Sequence, residues 1–443
     1  MTHQHVAEAA PVKEFFIRMI TRDISLHDCI LDLLDNCLDG ARMQLKEKRG
    51  SSTDNGPYSG YKADISLSPD EFIIIDNCGG ISVHDAEHYA FHFGRLKPVD
   101  PDAIGLYGIG MKRAILKIGK QIEITSHTSQ EGFRVPINVP AWEKEEKNWD
   151  FELELLPSAN PGTSIKIWDF NEGIGREFED TTFINRLKVM VGRDYSFFLQ
   201  DGFEVSINEV KVEPYPFKLR EGEGFKPVKV EFQDDEDKSV LINITAGMAA
   251  APPFDDSADS PEIKLKEVDY YGWFVSCNDR IVLAGNQDED TVWGNEGFTR
   301  WHPQYNGFMG ILAFHSSDPT KLPWDTTKRK LDTTSPLYRR AIAKMKTVTQ
   351  QWIVYTTQRR IDLEKARMVE EKTQAVPVKQ ILATPVMVLP TYAKPKIVYR
   401  TITYYEPEDK INKVKKTMGK AYMYNREMGE RTFDYYWDNE VEE

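Results

Sequence analysis

The fold of this chain is decided by the stretch Ile30-Leu31-Asp32-Leu33-Leu34-Asp35-Asn36-Cys37-Leu38-Asp39-Gly40-Ala41. On a helix with about 100° per residue, its apolar side chains fill one broad arc. Asp32, Asn36 and Asp39 lie on the opposite arc, with Asp35 at its edge. Asp32 and Asn36 are four residues apart, so their side chains stack one turn above the other. Alone, the pattern is typical of a surface helix with a solvated acidic face. A ligand-binding face is the alternative, and two later stretches favour it.

The composition describes a globular protein without a membrane segment. The 443 residues predict two or three domains, and 40% hydrophobic with 28% charged residues is typical of a globular chain. No uncharged apolar run approaches the ~20 residues that span a bilayer, and the N-terminal residues lack the features of a signal peptide. The four cysteines have no metal-ligand spacing and are too few for a disulfide framework. We therefore expect a protein of the reducing cytoplasm.

A short apolar strand ends in an acid and two glycines. Phe72-Ile73-Ile74-Ile75 runs directly into Asp76-Asn77-Cys78-Gly79-Gly80. A carboxylate at the end of a buried strand is costly without a partner, and glycines let a flat ligand approach the backbone closely. Asp76 could therefore accept a hydrogen bond from the exocyclic amine of adenine. A plain Asn/Gly turn is the alternative.

A glycine-rich segment then opens a short helix. It reads Gly105-Leu106-Tyr107-Gly108-Ile109-Gly110-Met111-Lys112, and Gly119 follows that helix. Free backbone N–H groups and the helix dipole make such a helix start an anion site. The segment matches neither the Walker loop nor the dinucleotide fingerprint. Residues 93–103 before it lose periodicity and predict a mobile flap, in which Arg95 and Lys97 can reach anionic groups.

Two further polar signals are less specific. His84, His88 and His92 recur every four residues, which places three imidazoles in one stripe. Histidines on a wet helix face explain this stripe more simply than a metal site does. Pro161-Gly162-Thr163 forms a turn before a strand, and the Thr163 hydroxyl either reaches a bound base or only shapes the turn.

Taken in order, these motifs resemble those of the GHKL ATPases, the superfamily of gyrase, Hsp90-type chaperones, histidine kinases and MutL. They are an acid-x-x-x-Asn helix, Asp-Asn-x-Gly-Gly after a strand, a glycine-rich helix start, and Gly-Thr on a strand. The resemblance covers about residues 10–170. It implies an α/β (α+β) fold of the Bergerat type, a mixed sheet with helices on one face and the nucleotide between those helices and a lid.

The resemblance also implies ATP and Mg²⁺ as cofactors. Asn36 resembles the asparagine that binds Mg²⁺, and Asp76 the aspartate that binds adenine. Asp32 stands where most of these ATPases have the glutamate that activates water. An aspartate is one methylene shorter, and a general base must come within hydrogen-bond reach. The residues expected to bind the cofactor are Asn36, Asp39, Asp76, Gly80, Ile81, Lys97, Gly105, Gly108, Ile109, Gly110, Met111, Lys112 and Thr163.

A second set of strands is predicted at 228–232, 240–246 and 270–276. Residues 271–332 resemble the ribosomal-S5-like transducer domain of the gyrase, MutL and Microrchidia branches. In those families a transducer-loop lysine reaches the γ-phosphate. The resemblance assigns this catalytic role to Lys328, with Lys330 in reserve and a basic surface loop as the alternative. The Gly-x-Gly-x-Lys form of residues 108–112 is closest to prokaryotic Microrchidia-like members.

The expected domains are an ATP-binding domain at 1–215, with a helix over 183–199 near its end, and a transducer domain at 216–335. A long basic helix at 336–375, a proline-rich linker at 376–396 and a C-terminal element at 397–443 follow. The last carries the aromatic run Phe433-Asp434-Tyr435-Tyr436-Trp437. It predicts docking to a protein partner or a second protomer, with folding back onto its own chain as the alternative.

The charge is uneven along the chain. The net charge is −14, but residues 321–367 contain 12 basic and 4 acidic side chains, a local excess of eight positive charges. Residues 231–259 are acidic and contain only Lys238 as a base. A solvated basic helix face is the simple explanation for the positive segment. A surface for the phosphate backbone of a nucleic acid is the alternative.

The function that follows is a Mg·ATP-dependent conformational switch. Bound nucleotide would order residues 91–110 and close two chains as a homodimer, which then acts on a nucleic-acid or protein partner. A bacterial defence or DNA-processing role follows only by analogy. A nucleotide-gated scaffold with little or no hydrolysis is the alternative, motivated by Asp32. A histidine kinase is disfavoured, because no helix pair with a phosphoacceptor histidine precedes the nucleotide-binding motifs.

Overall fold

The computed structural model describes residues 11–47, 56–94, 104–105, 108–145, 147–254, 271–325, 328, 330–393 and 398–441. The chain forms two compact units, Met1–Tyr392 and Ala393–Glu443. The first unit contains two large β-sheets with their helices, and the second contains two helices. Among the described residues, no helix is both long and apolar enough to cross a membrane.

The first sheet has eight strands in the order β5-β4-β3-β6-β2-β1-β7-β8. All its pairs are antiparallel except β1 with β7, which is parallel. The prediction of an α/β fold with a mixed sheet is confirmed. The strands expected after residues 71 and 162 are present. The bounds are β1 Lys62–Leu67, β2 Glu71–Asp76, β3 Gly119–His127, β4 Gly132–Asn138, β5 Glu154–Leu156, β6 Gly162–Phe170, β7 Glu204–Ile207 and β8 Val210–Lys211.

Helix α2 packs its apolar arc into the core of this sheet. It spans Leu26–Glu47, and Leu33, Leu34 and Leu38 are completely buried. The helix begins with a capping box, in which the Asp28 N–H donates to Ser25 Oγ at 3.1 Å. The remaining helices of this region are α1 Lys13–Arg22, α3 Val83–Asp85 with the π-turn Ala86–Ala90, α4 Gly110–Ile118, α5 Val139–Lys144, α6 Ile174–Glu179, α7 Thr181–Asp194 and α8 Ser196–Gln200.

Burial excludes one of the two interpretations of the acidic face of α2. The face is not a fully solvated surface, because Asp32 and Asp35 are only 4% and 1% exposed. One further expectation needs correction. The single helix expected over 183–199 is divided into α7 and α8. It breaks at Tyr195, whose φ of −111° and ψ of 14° interrupt the helical backbone.

The second sheet has five strands in the order β10-β11-β14-β12-β13. The long helix Pro336–Gln358 packs on it through two buried indoles. Trp273 Nε1 donates to Thr349 Oγ1 at 3.0 Å, and Trp352 Nε1 donates to the Tyr305 carbonyl at 3.1 Å. The three strands predicted in this region are confirmed. The bounds are β10 Val228–Gln233, β11 Val240–Met248, β12 Gly272–Cys277, β13 Arg280–Asn286 and β14 Phe308–Ser316, with β9 Lys218–Glu221 and β15 Gln374–Pro377 as a separate pair.

The segment after residue 335 differs from the expected long helix and free linker. The helix ends at Gln358, and a 3-10 turn Arg359–Asp362 leads into the helix Leu363–Glu371. The turn places Arg359 in the interior, where it pairs with Glu370 at 2.7 Å. Further along, β15 pairs with β9, and Thr384 and Val388 bridge to the strand region at 226–229. This part of the expected linker is therefore attached to the first unit.

The uneven charge of the sequence is partly matched within the fold. Arg340 pairs with Asp234 at 2.6 Å and with Glu236 at 2.8 Å, and Lys321 pairs with Asp237 at 2.7 Å. These contacts join the basic segment to the acidic segment. The local positive excess is therefore smaller in the folded protein than in the sequence.

The C-terminal unit contains the helices Glu408–Thr417 and Asn425–Glu440. Lys415 Nζ donates to Asn425 Oδ1 at 2.6 Å, which links their ends. Residues 398–407 contain neither helix nor strand. Met423 and Met428 are buried, whereas most of the aromatic side chains of the unit are exposed.

Arg280 joins α2 to the five-stranded sheet. Its guanidinium is 1% exposed and lies 3.2 Å from Asp35 Oδ1 and 3.5 Å from Asp194 Oδ2. It also lies over the Tyr195 ring, 4.2 Å from the centroid. Removing one partner of a buried ion pair leaves an uncompensated charge, whereas pairs on the surface contribute little.

We therefore expect Arg280→Ala to lower the free energy of unfolding by about 3–5 kcal/mol. Urea denaturation followed by circular dichroism measures this loss. Lys211→Ala, which removes the exposed pair with Glu204, is the matched control and should leave the midpoint nearly unchanged. Equal midpoints for Arg280→Ala and the parent protein would contradict the role assigned to this residue.

Candidate functional site

The polar face of α2 carries two buried carboxylates and one exposed amide. Asp32 Oδ2 accepts a hydrogen bond from Arg113 Nε at 2.7 Å, and Arg113 Nη2 lies at 2.7 Å from the same oxygen. Asn36, one turn further, is exposed. Among the described residues its side chain has no hydrogen-bond partner. The face therefore presents one group open to a ligand next to groups that are already neutralised.

Lys328 reaches this face from the loop after the five-stranded sheet. Its Nζ donates to Asp35 Oδ2 at 2.7 Å and lies 3.9 Å from Asp32 Oδ1. Its N–H donates to the Asp325 carbonyl, and its φ of 57° is in the left-handed region that bulky residues rarely adopt. The lysine is 6% exposed. The fold therefore holds Lys328 against α2 and not on an open basic surface loop.

Asp35, Arg113, Arg280 and Tyr195 belong to this site, although the motifs did not single them out. Tyr195 Oη donates to Asp35 Oδ1 at 2.7 Å, beside the Arg280 contact. Arg113 directly follows the glycine-rich segment in sequence, which is the one local signal for its presence here. Asp35, Arg280 and Tyr195 come together only through the tertiary fold.

Two described glycines of the glycine-rich segment, Gly105 and Gly110, lie against α2. The Ile104 and Gly105 N–H groups donate to the two carboxylate oxygens of Asp39, each at 2.7 Å. A Cβ atom on Gly105 would lie 3.0 Å from Asp39 Oδ2 and 3.8 Å from Asn36 Oδ1. A Cβ on Gly110 would lie 3.3 Å from the Asp32 carboxyl carbon. Glycine therefore lets the backbone of this segment approach the polar face closely.

The other residues of the segment have different surroundings. Gly108 has a φ of +65°, and Ile109 is the N-cap of α4. Met111 packs partly buried against the core. Lys112 is buried, and its Nζ donates to the Ala90 carbonyl at 2.8 Å. Lys97 and Arg95 lie outside the described residues.

A second polar cluster lies where β2, β3 and β6 meet. Asp76 Oδ1 accepts hydrogen bonds from the Cys78 N–H at 2.8 Å and the Thr163 N–H at 3.3 Å. Ser126 Oγ lies 2.9 Å from Thr163 Oγ1 and accepts from the Ile81 N–H at 2.8 Å. Ser126 carried no sequence signal. It faces Thr163 because the two residues are in register across β3 and β6.

Two glycines allow the closest backbone contacts in this cluster. Gly80 has a φ of +72°, and a Cβ atom there would lie 1.9 Å from the His127 carbonyl oxygen. A Cβ atom on Gly162 would lie 2.1 Å from the Asp76 carbonyl oxygen. No other residue type fits at either position. The fold thus brings Asp76, Gly80 and Thr163 together, as the sequence motifs predict.

The carboxylates have perturbed acidities. Burial raises the pKa of Asp32, Asp39 and Asp76 above the ordinary value, and the opposing charges or N–H donors do not fully offset it. Burial acts in the same direction on Asp35, but the charges of Lys328 and Arg280 outweigh it and lower its pKa. Asp35 is therefore held ionised. For Asp32, burial raises the pKa, and the charges of Lys328 and Arg113 oppose that rise.

The histidine stripe does not form a metal centre within the described residues. The His84 and His88 rings lie 4.5 Å apart, and His88 Nδ1 contacts the His84 carbonyl at 2.9 Å. In the described part of the chain, no group of three or more His, Cys, Asp or Glu side chains could hold a metal ion. The exposed Asn36 amide fits a different kind of metal site, in which a bound ligand supplies most of the oxygens.

Residues 24–166 match the family model described as histidine kinase-, DNA gyrase B- and HSP90-like ATPase. The match begins just before α2 and ends within β6. It contains Asp32, Asn36, Asp76 and Thr163 and excludes Lys328. It supports the GHKL superfamily for this part of the chain, and the large mixed sheet is consistent with that fold. No curated protein matches the chain.

Asp76→Asn is expected to stabilise the protein at pH 8, with a rise in Tm of roughly 2 °C, or about 1 kcal/mol. The amide can still accept both N–H groups, and it removes the cost of burying an ionised carboxylate. Because the folded-state pKa is raised, this cost is present above that pKa and is absent below the unfolded pKa of about 4. The gain should therefore shrink as the pH falls.

Thermal unfolding at pH 8 and pH 4.5 measures the effect. Asp150→Asn, at an exposed position, is the control and should shift neither Tm. A loss of stability on Asp76→Asn that is equal at both pH values would contradict the raised pKa.

Proposed function

We propose that this chain is a Mg·ATP-dependent conformational switch, on the premise that residues 24–166 form a GHKL-type ATP-binding domain. The observation that carries the proposal is that the glycine-rich segment and the Asp76 cluster both contact α2. Gly105 and Gly110 lie against its polar face, and a Cβ atom on Gly40 of α2 would lie 2.7 Å from the Cys78 carbonyl oxygen. ATP hydrolysis is the activity that this family suggests in general.

The base would bind at the Asp76 cluster. The carboxylate retains acceptor capacity beyond the Cys78 and Thr163 N–H groups, since an ionised carboxyl accepts about four hydrogen bonds. The adenine amine can use that capacity. Gly80 and Gly162 let the backbone pack tightly around Asp76, which holds this acceptor in place, and Thr163 with Ser126 supplies hydroxyls beside it.

Asn36 and the start of α4 would hold the phosphates and the metal ion. The first N–H groups of the nine-residue helix α4 have no partners within that helix and favour negative charge. Asn36 offers an amide oxygen to the metal. Bound Mg²⁺ would neutralise phosphate charge and polarise the phosphoryl oxygens. Asp39 would position Gly105 through the Ile104 and Gly105 N–H groups.

Lys328 would transmit the state of the nucleotide to the five-stranded sheet. It is held by Asp35, and a γ-phosphate near α2 would compete with Asp35 for the same ammonium. We propose that residues 216–335 act as an S5-like transducer of the Microrchidia-like type. Exchange of Lys328 from Asp35 to phosphate would then move the loop that carries it, a small displacement of the kind that switches amplify.

Further parts of the proposal come from the family and from exposed surface. Nucleotide binding would order the lid over residues 91–110 and close two cytoplasmic chains as a homodimer, the state typical of this family.

The exposed aromatic side chains of the C-terminal unit support a role in docking a protein partner. The basic segment supports a nucleic-acid partner only in part, because several of its charges are paired internally.

Calorimetric titration of the full chain with Mg·ATP tests the proposal. We expect saturable binding that Asp76→Ala weakens at least tenfold, because the base loses its acceptor. Asp70→Ala, in the exposed turn between β1 and β2, should bind as the parent protein does. Asn36→Ala should abolish the gain in affinity that Mg²⁺ provides. Absence of binding, or binding that Asp76→Ala leaves unchanged, would refute the proposal.

Turnover distinguishes an ATPase from a nucleotide-gated scaffold. If Asp32 is the general base, Asp32→Asn should reduce the rate of phosphate release by about 10²-fold or more while ATP affinity changes little. Asp23→Asn, an exposed acid just before α2, is the control. The scaffold alternative is favoured by one observation, the engagement of Asp32 Oδ2 by Arg113. A parent protein that binds Mg·ATP but releases phosphate no faster than Asp32→Asn would establish that alternative.

A further inference from the structure

An open cavity of about 740 Å³, much of it facing solvent, lies in the second-sheet region. Its volume falls within the usual range for small-ligand sites, about 300–1,000 Å³. The segment between β13 and β14 and the 3-10 turn after the long helix form it, and none of its residues belongs to the proposed ATP site. Its principal lining residues are Arg300, Trp301, His302, Gln304, Tyr305 and Arg360.

Buried aromatic packing holds Trp301 in place. Its ring packs edge-on against Trp293 at 4.7 Å between centroids, and Trp293 stacks on Tyr305 at 5.3 Å. Trp293 is 1% and Tyr305 4% exposed. The Tyr305 carbonyl also accepts the Trp352 Nε1 hydrogen bond. Trp301 itself remains partly exposed. The cavity thus has a preorganised indole that a ligand can reach.

Two guanidinium groups line the same cavity as that indole. Arg360 Nη2 donates to Gln304 Oε1 at 2.8 Å, which fixes one wall of the cavity. Arg300 is exposed, and within the described parts of the chain it makes no hydrogen bond or ion pair. No Asp or Glu lines the cavity. The lining therefore favours a ligand that combines a planar ring with negative charge.

We infer that this cavity binds a nucleotide unit, with the base against Trp301 and its phosphate near Arg300 and Arg360. Bases stack on aromatic side chains without a strong sequence preference. Guanidinium groups match phosphate oxygens in a bidentate manner. The same chemistry occurs in single-stranded nucleic acid and in a free nucleotide, so the experiment must separate these two sources. The site goes beyond the ATP switch, because it requires no residue of the switch.

Fluorescence anisotropy of a labelled 15-mer of deoxythymidylate tests the inference on the full chain without ATP. We expect Trp301→Ala and Arg300→Glu each to weaken binding at least tenfold, and Trp301→Phe to retain most of it because a ring remains. Arg339→Glu, an exposed arginine of the long helix outside the cavity, should stay within twofold of the parent. Arg300→Glu should also reduce the salt dependence of binding.

Competition with thymidine monophosphate identifies the source of the ligand. Displacement of the 15-mer at comparable concentration indicates a free-nucleotide site, and resistance to displacement indicates a single-strand site. Either result supports the inference if the Trp301 and Arg300 variants weaken the interaction. No binding of either probe, or binding that Trp301→Ala and Arg300→Glu leave unchanged, would overturn it. Arg300 lies on the surface, so its variant remains informative if Trp301→Ala does not fold.

The two proposals can fail separately. Titration of Arg300→Glu with Mg·ATP should match the parent protein, because the residue is not part of the α2 site. A variant that loses oligonucleotide binding but keeps normal ATP binding therefore tests the cavity proposal alone. The Asp76→Ala titration tests the switch proposal alone.

Discussion

The rest of the structure depends on the buried carboxylate of Asp35. It lies one residue before the exposed Asn36, and it is neutralised by Lys328 and Arg280, which follow it by 293 and 245 positions. A buried charge is tolerated only when it is matched, and loss of one partner is costly. The helix that carries the candidate site is therefore tied to the five-stranded sheet by charge as well as by apolar packing. Any ligand that draws Lys328 away alters both regions at once.

Local patterns predicted much of this arrangement, because the signals involved are local. The periodicity of α2 and the run of strand, acid and glycines each depend on neighbours within a few residues. Burial of the acidic face could not be predicted in this way. It depends on Arg113, Arg280 and Lys328, which the tertiary fold brings from three other elements. Ser126 was missed for the same reason, because only the strand register places it beside Thr163.

The uneven charge of the sequence is a second pattern whose meaning depends on the tertiary fold. For the basic segment a solvated helix face was the simple explanation and an external polyanion the alternative, yet part of it pairs with the acidic residues near 234–237 of the same chain. The break after Gln358 follows the same logic, since it turns Arg359 into the interior to meet Glu370. The net charge of a segment therefore indicates an external partner only after the ion pairs it makes within its own chain have been subtracted. The positive charge that remains near the second-sheet cavity is smaller than the excess counted in the sequence. It lies beside an ordered aromatic cluster.

The charges next to Asp32 also determine what this carboxylate can do in the proposed switch. Its pKa is raised by burial and opposed by Lys328 and Arg113. If Lys328 moves to a γ-phosphate, Asp32 loses one of these two cations, and the phosphate adds a negative charge nearby. Both changes favour the protonated carboxyl, which cannot act as a base. Arg113 is then the remaining charge that keeps Asp32 ionised, although it also occupies Oδ2. The balance between an ATPase and a scaffold therefore depends on the Asp32–Arg113 pair as much as on the missing methylene.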